Sequence, residues 1–590
     1  MQWNRGDGHF SEISFLSGVS STDWSWSPLL ADYDNDGDKD LFVTNGFRRD
    51  LGDLDYINYQ QTFNSPIGSP EAKLAKKQEN VLQLEGVSIA DYLFENQGDL
   101  TFIDQSENWG IRQPGFSHGA AYADLDNDGD LDLYVVSGGS SFPIDSHQDQ
   151  DRFYRNDGSG TFVLDKSSLP KLVSSGSCVT ASDYDQDGDL DLFVGGRIVP
   201  AQYPLSLKSY LLENRQGKFT NATSDIAPEL TKTGLVTSAL WTDYDNDEWI
   251  DLIVVGEFMP IRFFHNQEGK LVEQTNDTGL TGTNGWWNSI AGGDFDRDGD
   301  TDYIVGNLGL NSPYDASPEQ PLCVYASDYD KNGSIDPVMC YYVQGENYLA
   351  HRRDDMIKQI NAMRGRFKTY RSYAEATFER SFLPEELESA YVVRSDRFAS
   401  SYLENLGNGK FSIQSLPTEA QIAPIFGIAV QDYNQDGYLD VLCSGNFHAA
   451  EAAAGPRDAS LGGLLLGDGN GNFVSASPNR TGFIADGNAR GIVQLSSGDQ
   501  MLMVVANNNQ PLEVFGFSLG GKMYQAKDKD AFTMVMLADG TSYKDEFTYG
   551  SGYLSQSART LWLPPSTHEL RVTSYQSSSR EISLESYDHR

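Results

Sequence analysis

The residues best placed to do chemistry are carboxylates set at alternating positions of a nine-residue pattern, D-x-D-x-D-G-x-x-D, which returns seven times. Four copies are complete: Asp32, Asp34, Asp36, Asp38 and Asp40; Asp124, Asp126, Asp128, Asp130 and Asp132; Asp183, Asp185, Asp187, Asp189 and Asp191; and Asp294, Asp296, Asp298, Asp300 and Asp302. A fifth, with Asp243, Asp245, Asp247, Trp249 and Asp251, has Glu248 in place of the glycine. Two exchange one Asp for Asn, which keeps a carbonyl oxygen: Asp328, Asp330, Asn332, Ser334 and Asp336, and Asp432, Asn434, Asp436, Tyr438 and Asp440. Oxygens at positions 1, 3 and 5, a glycine at 6 for the sharp turn, a main-chain carbonyl at 7 and a carboxylate at 9 make the donor set of a hard cation. Position 7 varies among Asp, Trp, Ser and Tyr, as expected if only its carbonyl is used. Without an ion, each pair of like charges ~4 Å apart repels by about 4 kcal/mol at an effective dielectric near 20. The pattern therefore predicts up to seven bound Ca²⁺ ions.

Helix-flanked EF-hands open with the same pattern but need a Glu at position 12. Here that position holds Val43, Val135, Val194, Val254, Val305, Met339 and Cys443. The flanks read instead as short β-rich runs, such as LFVTNG after the first loop and ALWTD before that at Asp243. Each loop thus joins two strands of a hairpin. Spacings of roughly 50 to 60 residues between successive central loops also exclude a nonapeptide calcium β-helix.

A second motif follows most loops: a strand, then Asn, Gly and an aromatic, as in LFENQGDLTF ending at Phe102 and FYRNDGSGTF ending at Phe162. Asn and Gly are read as the positive-φ residues of a tight hairpin turn. Strand, calcium loop, strand, strand, turn, strand is the four-stranded blade of a propeller. Loops at Asp32, Asp124, Asp183, Asp243, Asp294 and Asp432 open six units, and residues 491–509 read as a seventh without carboxylates. The expectation is an all-β, seven-bladed β-propeller. The loop at Asp328 follows too soon for a new blade and is assigned to an outer hairpin of the fifth; eight blades follow if residues 340–400 form strands. Residues 1–10 read as an outer hairpin without inner strands, which either closes the ring or is the remnant of a longer propeller array.

On these paired motifs the chain resembles the FG-GAP or VCBS repeat proteins, whose calcium-loop blades also build the integrin α-subunit propeller; the resemblance covers residues 1–515. Residues 516–590, with GSGYLSQSARTLWL from Gly550 to Leu563, resemble the ASPIC/UnbV domain of cartilage-acidic-protein-like chains, although Trp562-Leu563-Pro564-Pro565 replaces the expected Phe-Gly-Leu-Gly. The resemblance implies a small C-terminal β domain and a secreted or surface location.

Two helical insertions interrupt the repeat, near 53–90 and 346–396, the second locally basic from His351 to Arg380. They read as excursions packed on the propeller or as a partner-docking site. Trp286 and Trp287 suit core packing better than a glycan platform. Cys178 and Cys443 read as buried strand residues, while Cys323 and Cys340 flank one loop and could pair across a hairpin. With 85 Asp plus Glu against 43 Lys plus Arg, a net charge of −42 argues against nucleic acid as partner. No apolar run reaches the ~18 residues of a membrane span, and no signal peptide opens the sequence. Extracellular calcium modules bind at about 10⁻⁴ to 10⁻³ M, which suits an extracellular, cell-surface or periplasmic site of action. No catalytic triad or nucleophile elbow appears, so no catalytic residue is assigned. The expected function is noncatalytic binding, adhesion or scaffolding toward a protein or glycan. The alternative is a calcium-assisted, lyase-like carbohydrate-active enzyme.

Overall fold

The computed structural model describes residues 2–4, 10–12, 17, 19, 22, 27–45, 89–97, 101–115, 117–139, 149–172, 174–448, 455–497, 500–550 and 553–584. The first acidic loop leaves Pro28–Ala31 at Asp32 and enters Asp40–Val43 at Asp40; Tyr92–Asn96 and Phe102–Asp104 complete a four-stranded antiparallel sheet. Both strands beside the loop are buried throughout, so they read as unbroken apolar runs rather than alternating ones.

Six further sheets open in the same way, with first strands Ser117–Ala123, Gly176–Ser182, Leu235–Thr242, Ser289–Gly293, Gly427–Gln431 and Ala489–Ser497. Each first strand lies beside that of the next sheet, and the last returns to Pro28–Ala31. The arrangement is all-β and propeller-like. The seventh sheet has three strands, ending with Glu513–Phe517, and the N-terminal hairpin of Gln2–Asn4 and Phe10–Glu12 lies against that edge.

Neighbouring sheets are joined by the asparagine of the second motif. Asn156 Nδ2 donates to Tyr33 O at 2.8 Å, Asn214 Nδ2 to Leu125 O at 2.8 Å, Asn266 Nδ2 to Tyr184 O at 2.7 Å and Asn405 Nδ2 to Tyr244 O at 2.7 Å. Every acceptor is position 2 of the preceding sheet's acidic loop. The amide also donates to its own loop, and its Oδ1 accepts the N–H of the hairpin glycine, as Asn214 does from Gly217 at 2.9 Å. This corrects the turn reading of that asparagine. It ends the third strand, while positive φ falls on following residues such as Gly158, Gln216, Gly217 and Glu268.

The C-terminal stretch forms a sheet of Asp530–Leu537, Ser542–Glu546, Thr567–Ser574 and Ser579–Ser583, with Lys522–Gln525 paired to Thr560–Leu563 beside it. Between Lys544 and Trp562, its connecting segment together with the strands at either end of it reaches every first strand or the loop residue next to it. Leu554 O accepts from Ser27 Oγ, Gln556 bonds both N–H and C=O of Tyr122, and Ala181 N donates to Tyr549 O. Lys544 meets Asp243 and Asp294, Gln431 Nε2 donates to Trp562 O, and Ala558 N donates to Gln494 O. One short segment can touch all of these strands only if they surround it. Arg559, 8% exposed, fixes the segment by donating to the carbonyls of Lys527, Asp528, Asp530 and Phe547.

The loop at Asp328 is placed otherwise than the repeat suggests. The outer hairpin of the fifth sheet is Ser401–Asn405 with Phe411–Ser415, and Asp328 belongs to a separate four-stranded sheet inserted before it. That sheet comprises Leu322–Ser327, Asp336–Val343, Glu346–Leu349 and Tyr391–Ser395. The motif encodes a hairpin turn, not a place in the ring; Tyr391–Ser395 covers the edge of Leu322–Ser327 and docks beside Asp251–Met259 of the fourth sheet. The helical character expected at 346–396 appears as five short helices between Arg353 and Glu388, whose Met356, Met363, Phe367 and Phe378 pack against Cys323, Val338 and Cys340. Cys323 and Cys340 form a disulfide, Cα atoms 5.1 Å apart; Cys178 and Cys443 are buried free thiols. Trp287 is fully buried in the core between the fourth and fifth sheets, and Trp286 packs on Phe258. Of the insertion expected at 53–90, only 89 and 90 fall within the described residues.

Replacing Asn214 by Ala removes three of these hydrogen bonds. The expected cost is about 2 to 3 kcal/mol at roughly 1 kcal/mol each, read as a lower urea midpoint; an unchanged midpoint would show that the asparagines do not hold the sheets together.

Candidate metal centres

Each loop folds on its own carboxylates. Position 1 accepts the N–H of position 6 in every loop and, except at Asp183 and Asp294, that of position 5 as well: Asp124 Oδ1 from Asp128 at 3.2 Å and Oδ2 from Gly129 at 3.1 Å, and Asp432 from Asp436 at 3.2 Å and Gly437 at 2.9 Å. Position 5 accepts the N–H of position 7, as Asp36 does from Asp38, Asp187 from Asp189 and Asn332 from Ser334. Glycine at position 6 takes φ between 88° and 99° where it is present, and Glu248 is held at 69°.

Position 9 is the first residue of the second strand and is buried in every copy: Asp40, Asp132, Asp191, Asp251, Asp302, Asp336 and Asp440. Except at Asp191, one oxygen accepts the N–H of loop position 2, as Asp40 does from Tyr33 at 3.0 Å and Asp440 from Tyr433 at 3.0 Å. In the six ring loops the other accepts the last N–H of the third strand: Asn96, Asn156, Asn214, Asn266, Asn405 or Gly467. Burial penalises the charged form and pushes Asp40 and Asp440 up to about 7, Asp132, Asp251 and Asp302 up to about 8, and Asp191 well above its ordinary value.

The carboxylates converge as the spacing requires. Donor oxygens lie within 4.8 Å of one another in Asp32, Asp34 and Asp36; in Asp124, Asp126 and Asp128; in Asp183, Asp185 and Asp191; and in Asp243, Asp245 and Asp247. A cation fits this set, because Asp183 Oδ1, Asp191 Oδ2 and Asp294 Oδ1 are shielded from solvent and accept no hydrogen bond, while their side chains are buried. A buried oxygen with no donor is costly unless a ligand supplies one. The second loop is different: Arg155 pairs with Asp126 and with Asp165, bringing a protein cation to position 3.

Position 7 proves less indifferent than its composition suggests. Position 4, held at φ between 58° and 63° in all seven loops, reaches into the next loop of the ring. Asn35 donates to Asp130 Oδ1 at 2.8 Å, Asn127 to Asp189 Oδ1, Gln186 to Glu248 O at 3.1 Å and Asn246 to Gly299 O at 3.5 Å. Arg297 donates to Gly437 O and lies over the Tyr438 ring, and Gln435 reaches Gly520 O of the C-terminal unit. His265 is a further residue at these loops that spacing could not reveal. Its Nδ1 lies 3.2 Å from both Asp245 Oδ2 and Asp251 Oδ1.

Compared with known proteins, residues 1–43, 141–194 and 243–305 match the FG-GAP-like repeat. Human cartilage acidic protein 1 is 27% identical over 187 residues, covering 30% of this chain and 27% of that protein, and its Mus musculus counterpart matches equally. The chain thus spans about a quarter of these relatives' length. Among solved structures, the V. cholerae biofilm matrix protein Bap1 superposes with a TM-score of 0.33 at 10% identity, covering 96% of each chain. Rhamnogalacturonan lyase YesW gives 0.34 at 10% identity over 92% of this chain and 73% of its own. At such scores neither likeness bears on fold or function, and the architecture rests on the sheet order. The chain carries FG-GAP-like repeats and is weakly homologous to cartilage acidic protein 1.

Proposed function

We propose that the protein is a calcium-stabilised, seven-bladed propeller acting outside the cytoplasm as a noncatalytic binding or scaffolding module for a protein or glycan. The calcium reading is carried by the buried, unpartnered oxygens of Asp183, Asp191 and Asp294 inside the acidic loops, with Asp126, Asp245 and Asp300 each leaving one more loop oxygen unpartnered. Calcium, when bound, would supply the charge these carboxylates lack; positions 1, 3, 5 and 9 would hold it. The noncatalytic reading is supported by the filled axis: the cavity of about 120 Å³ there is lined by Lys544, Asp545, Glu546, Arg559, Gln431 and Gln494, and its two cations are already engaged, Lys544 by Asp243 O and Glu546 and Arg559 by the carbonyls of Lys527 and Phe547. The Cys323–Cys340 disulfide suits an oxidising compartment. No helix among the described residues is long and apolar enough to cross a membrane.

Calcium at about ten times its dissociation constant stabilises by about 1.4 kcal/mol per loop. Chelation should therefore lower Tm by about 1 °C for each loop emptied and by about 8 °C when all seven empty, and calcium should restore it. A chelator-insensitive Tm without calcium uptake would refute the reading, and release of unsaturated oligosaccharides from an acidic glycan would favour the lyase instead.

A pH dependence follows from the buried ninth positions. In metal-free protein their folded pKa values, about 7 for Asp40 and Asp440 and about 8 for Asp132, lie above the ordinary 3.8. The folded state then holds protons that the unfolded chain has released. The contribution is complete below pH 4 and is lost as pH rises through 7 to 8. Metal-free Tm should fall between pH 5 and 8, and saturating calcium should flatten that slope; equal slopes with and without calcium would contradict it.

A further inference from the structure

We infer that the loop at Asp243 is a mixed nitrogen and oxygen site for a divalent transition metal of the zinc, cobalt or manganese class, held by Asp245, Asp251 and His265. The inference rests on the reading that these loops hold cations and singles out one of them by its chemistry.

His265 closes the third strand of the fourth sheet, Arg262–Asn266, next to the joining Asn266. The same register position carries Glu95, Arg155, Glu213 and Glu404 in the first, second, third and fifth sheets. Glu95 accepts from Gln105, Glu213 pairs with Arg215 and Glu404 accepts from Ser412, each within its own hairpin. Arg155 enters its loop as a cation and has no lone pair to offer. Among the described residues, His265 alone brings an imidazole nitrogen to an acidic loop of the ring, and its Nδ1 and carboxylate oxygens of Asp245 and Asp251 all lie within 4.8 Å of one another, near enough for one ion to bridge.

Two further observations point to a ligand in this group. Asp245 Oδ1 is shielded from solvent and accepts no hydrogen bond. The inner side of the same loop is already supplied with charge: Lys544 Nζ donates to Asp243 O at 2.9 Å and Asn246 Oδ1 at 2.8 Å, and lies 3.7 Å from Asp243 Oδ2. Asp243 Oδ1 and Oδ2 also accept from Asp247 and Glu248. Position 1 is thus satisfied from within, and the carboxylates still needing charge are Asp245 and the fully buried Asp251. A divalent ion between two carboxylates and a neutral imidazole leaves the group uncharged. Calcium prefers six to eight oxygens, whereas one imidazole, two carboxylates and a water complete the four-coordinate shell of zinc.

The test uses untagged full-length protein, stripped by chelation, saturated with millimolar calcium and titrated with cobalt(II). One cobalt per chain should remain in the presence of calcium with a visible absorption band, and zinc should bleach it. His265→Gln should weaken that site about a hundredfold while calcium uptake and the β-sheet circular dichroism stay as in wild type; Asp126→Asn in the second loop should leave the band unchanged. If His265→Gln fails to fold, Asp245→Asn gives the same reading at a more exposed ligand. Displacement of cobalt by calcium, or a band that survives both variants, overturns the site and leaves His265 as an ion-pair partner of the loop. Calcium uptake without a His265-dependent cobalt band refutes this inference alone. A His265-dependent band without calcium uptake refutes the calcium reading and leaves this site standing.

Discussion

A buried carboxylate at the head of the second strand joins each acidic loop to its sheet. In the first sheet, Asp40 accepts one hydrogen bond from the loop and one from the third strand, so a single side chain fixes the loop against three strands. Asp132, Asp251, Asp302 and Asp440 repeat this, whereas Asp191 makes only the strand bond and leaves its other oxygen bare. Two hydrogen bonds do not compensate a carboxylate removed from water. The remaining charge has to be met by a proton, an ion or a neighbouring cation, and the loops differ in which of these they are built for.

From that residue the constraint spreads around the ring. The main-chain acceptor donated to by each joining asparagine is position 2 of the previous loop, and at Tyr33, Leu125 and Tyr244 that same residue's N–H is held by the buried carboxylate. A loop that opens therefore loosens its own hairpin and the adjoining sheet together. Position 4 adds a second circuit at the surface, from Asn35 to Asp130 and onward to Arg297 and Tyr438. Both circuits meet the C-terminal unit, through Gln435 to Gly520 and through Lys544 to the loops at Asp243 and Asp294. Charge at the loops and docking of the C-terminal unit are thus one electrostatic problem.

The sequence exposed what is local and repeated. Alternating carboxylates, the absent Glu at position 12 and the flanking β-rich runs are all set within a dozen residues, and the hairpins stand where those runs lie. The unit at 491–509 was legible without carboxylates because its apolar strands persist as Ala489–Ser497 and Gln500–Asn507. What escaped is non-local. The inserted sheet at Asp328 carries the same hairpin code as the ring, and only the pairing of Tyr391–Ser395 with Leu322–Ser327 separates it. The asparagine looked like turn chemistry because its acceptor, Tyr33 for Asn156, lies far away in sequence. His265 follows its loop by one strand and a turn, so no spacing rule ties the two. Gln556 and Arg559 sit in a polar stretch whose partners are main-chain groups, which leave no trace in side-chain composition.

The filled axis also limits where recognition can occur. For a ligand to enter the ring, the segment from Tyr549 to Leu561 has to leave, and with it the paired bonds of Gln556 to Tyr122, the bond of Ala558 to Gln494 and the carbonyl cluster around Arg559. At about 1 kcal/mol for each neutral bond and more for those to the guanidinium, displacement costs roughly as much as the 8.2 kcal/mol of a micromolar complex. A ligand that binds without remodelling the chain must use the outer faces. There the inserted sheet offers Tyr391 and Val392 to solvent and its helical excursion offers Tyr370, in a segment where residues 351–380 carry eight Lys and Arg against four Asp and Glu. The loops and the axial segment hold the sheets together, so the binding role proposed above would fall to the parts that the repeat does not encode.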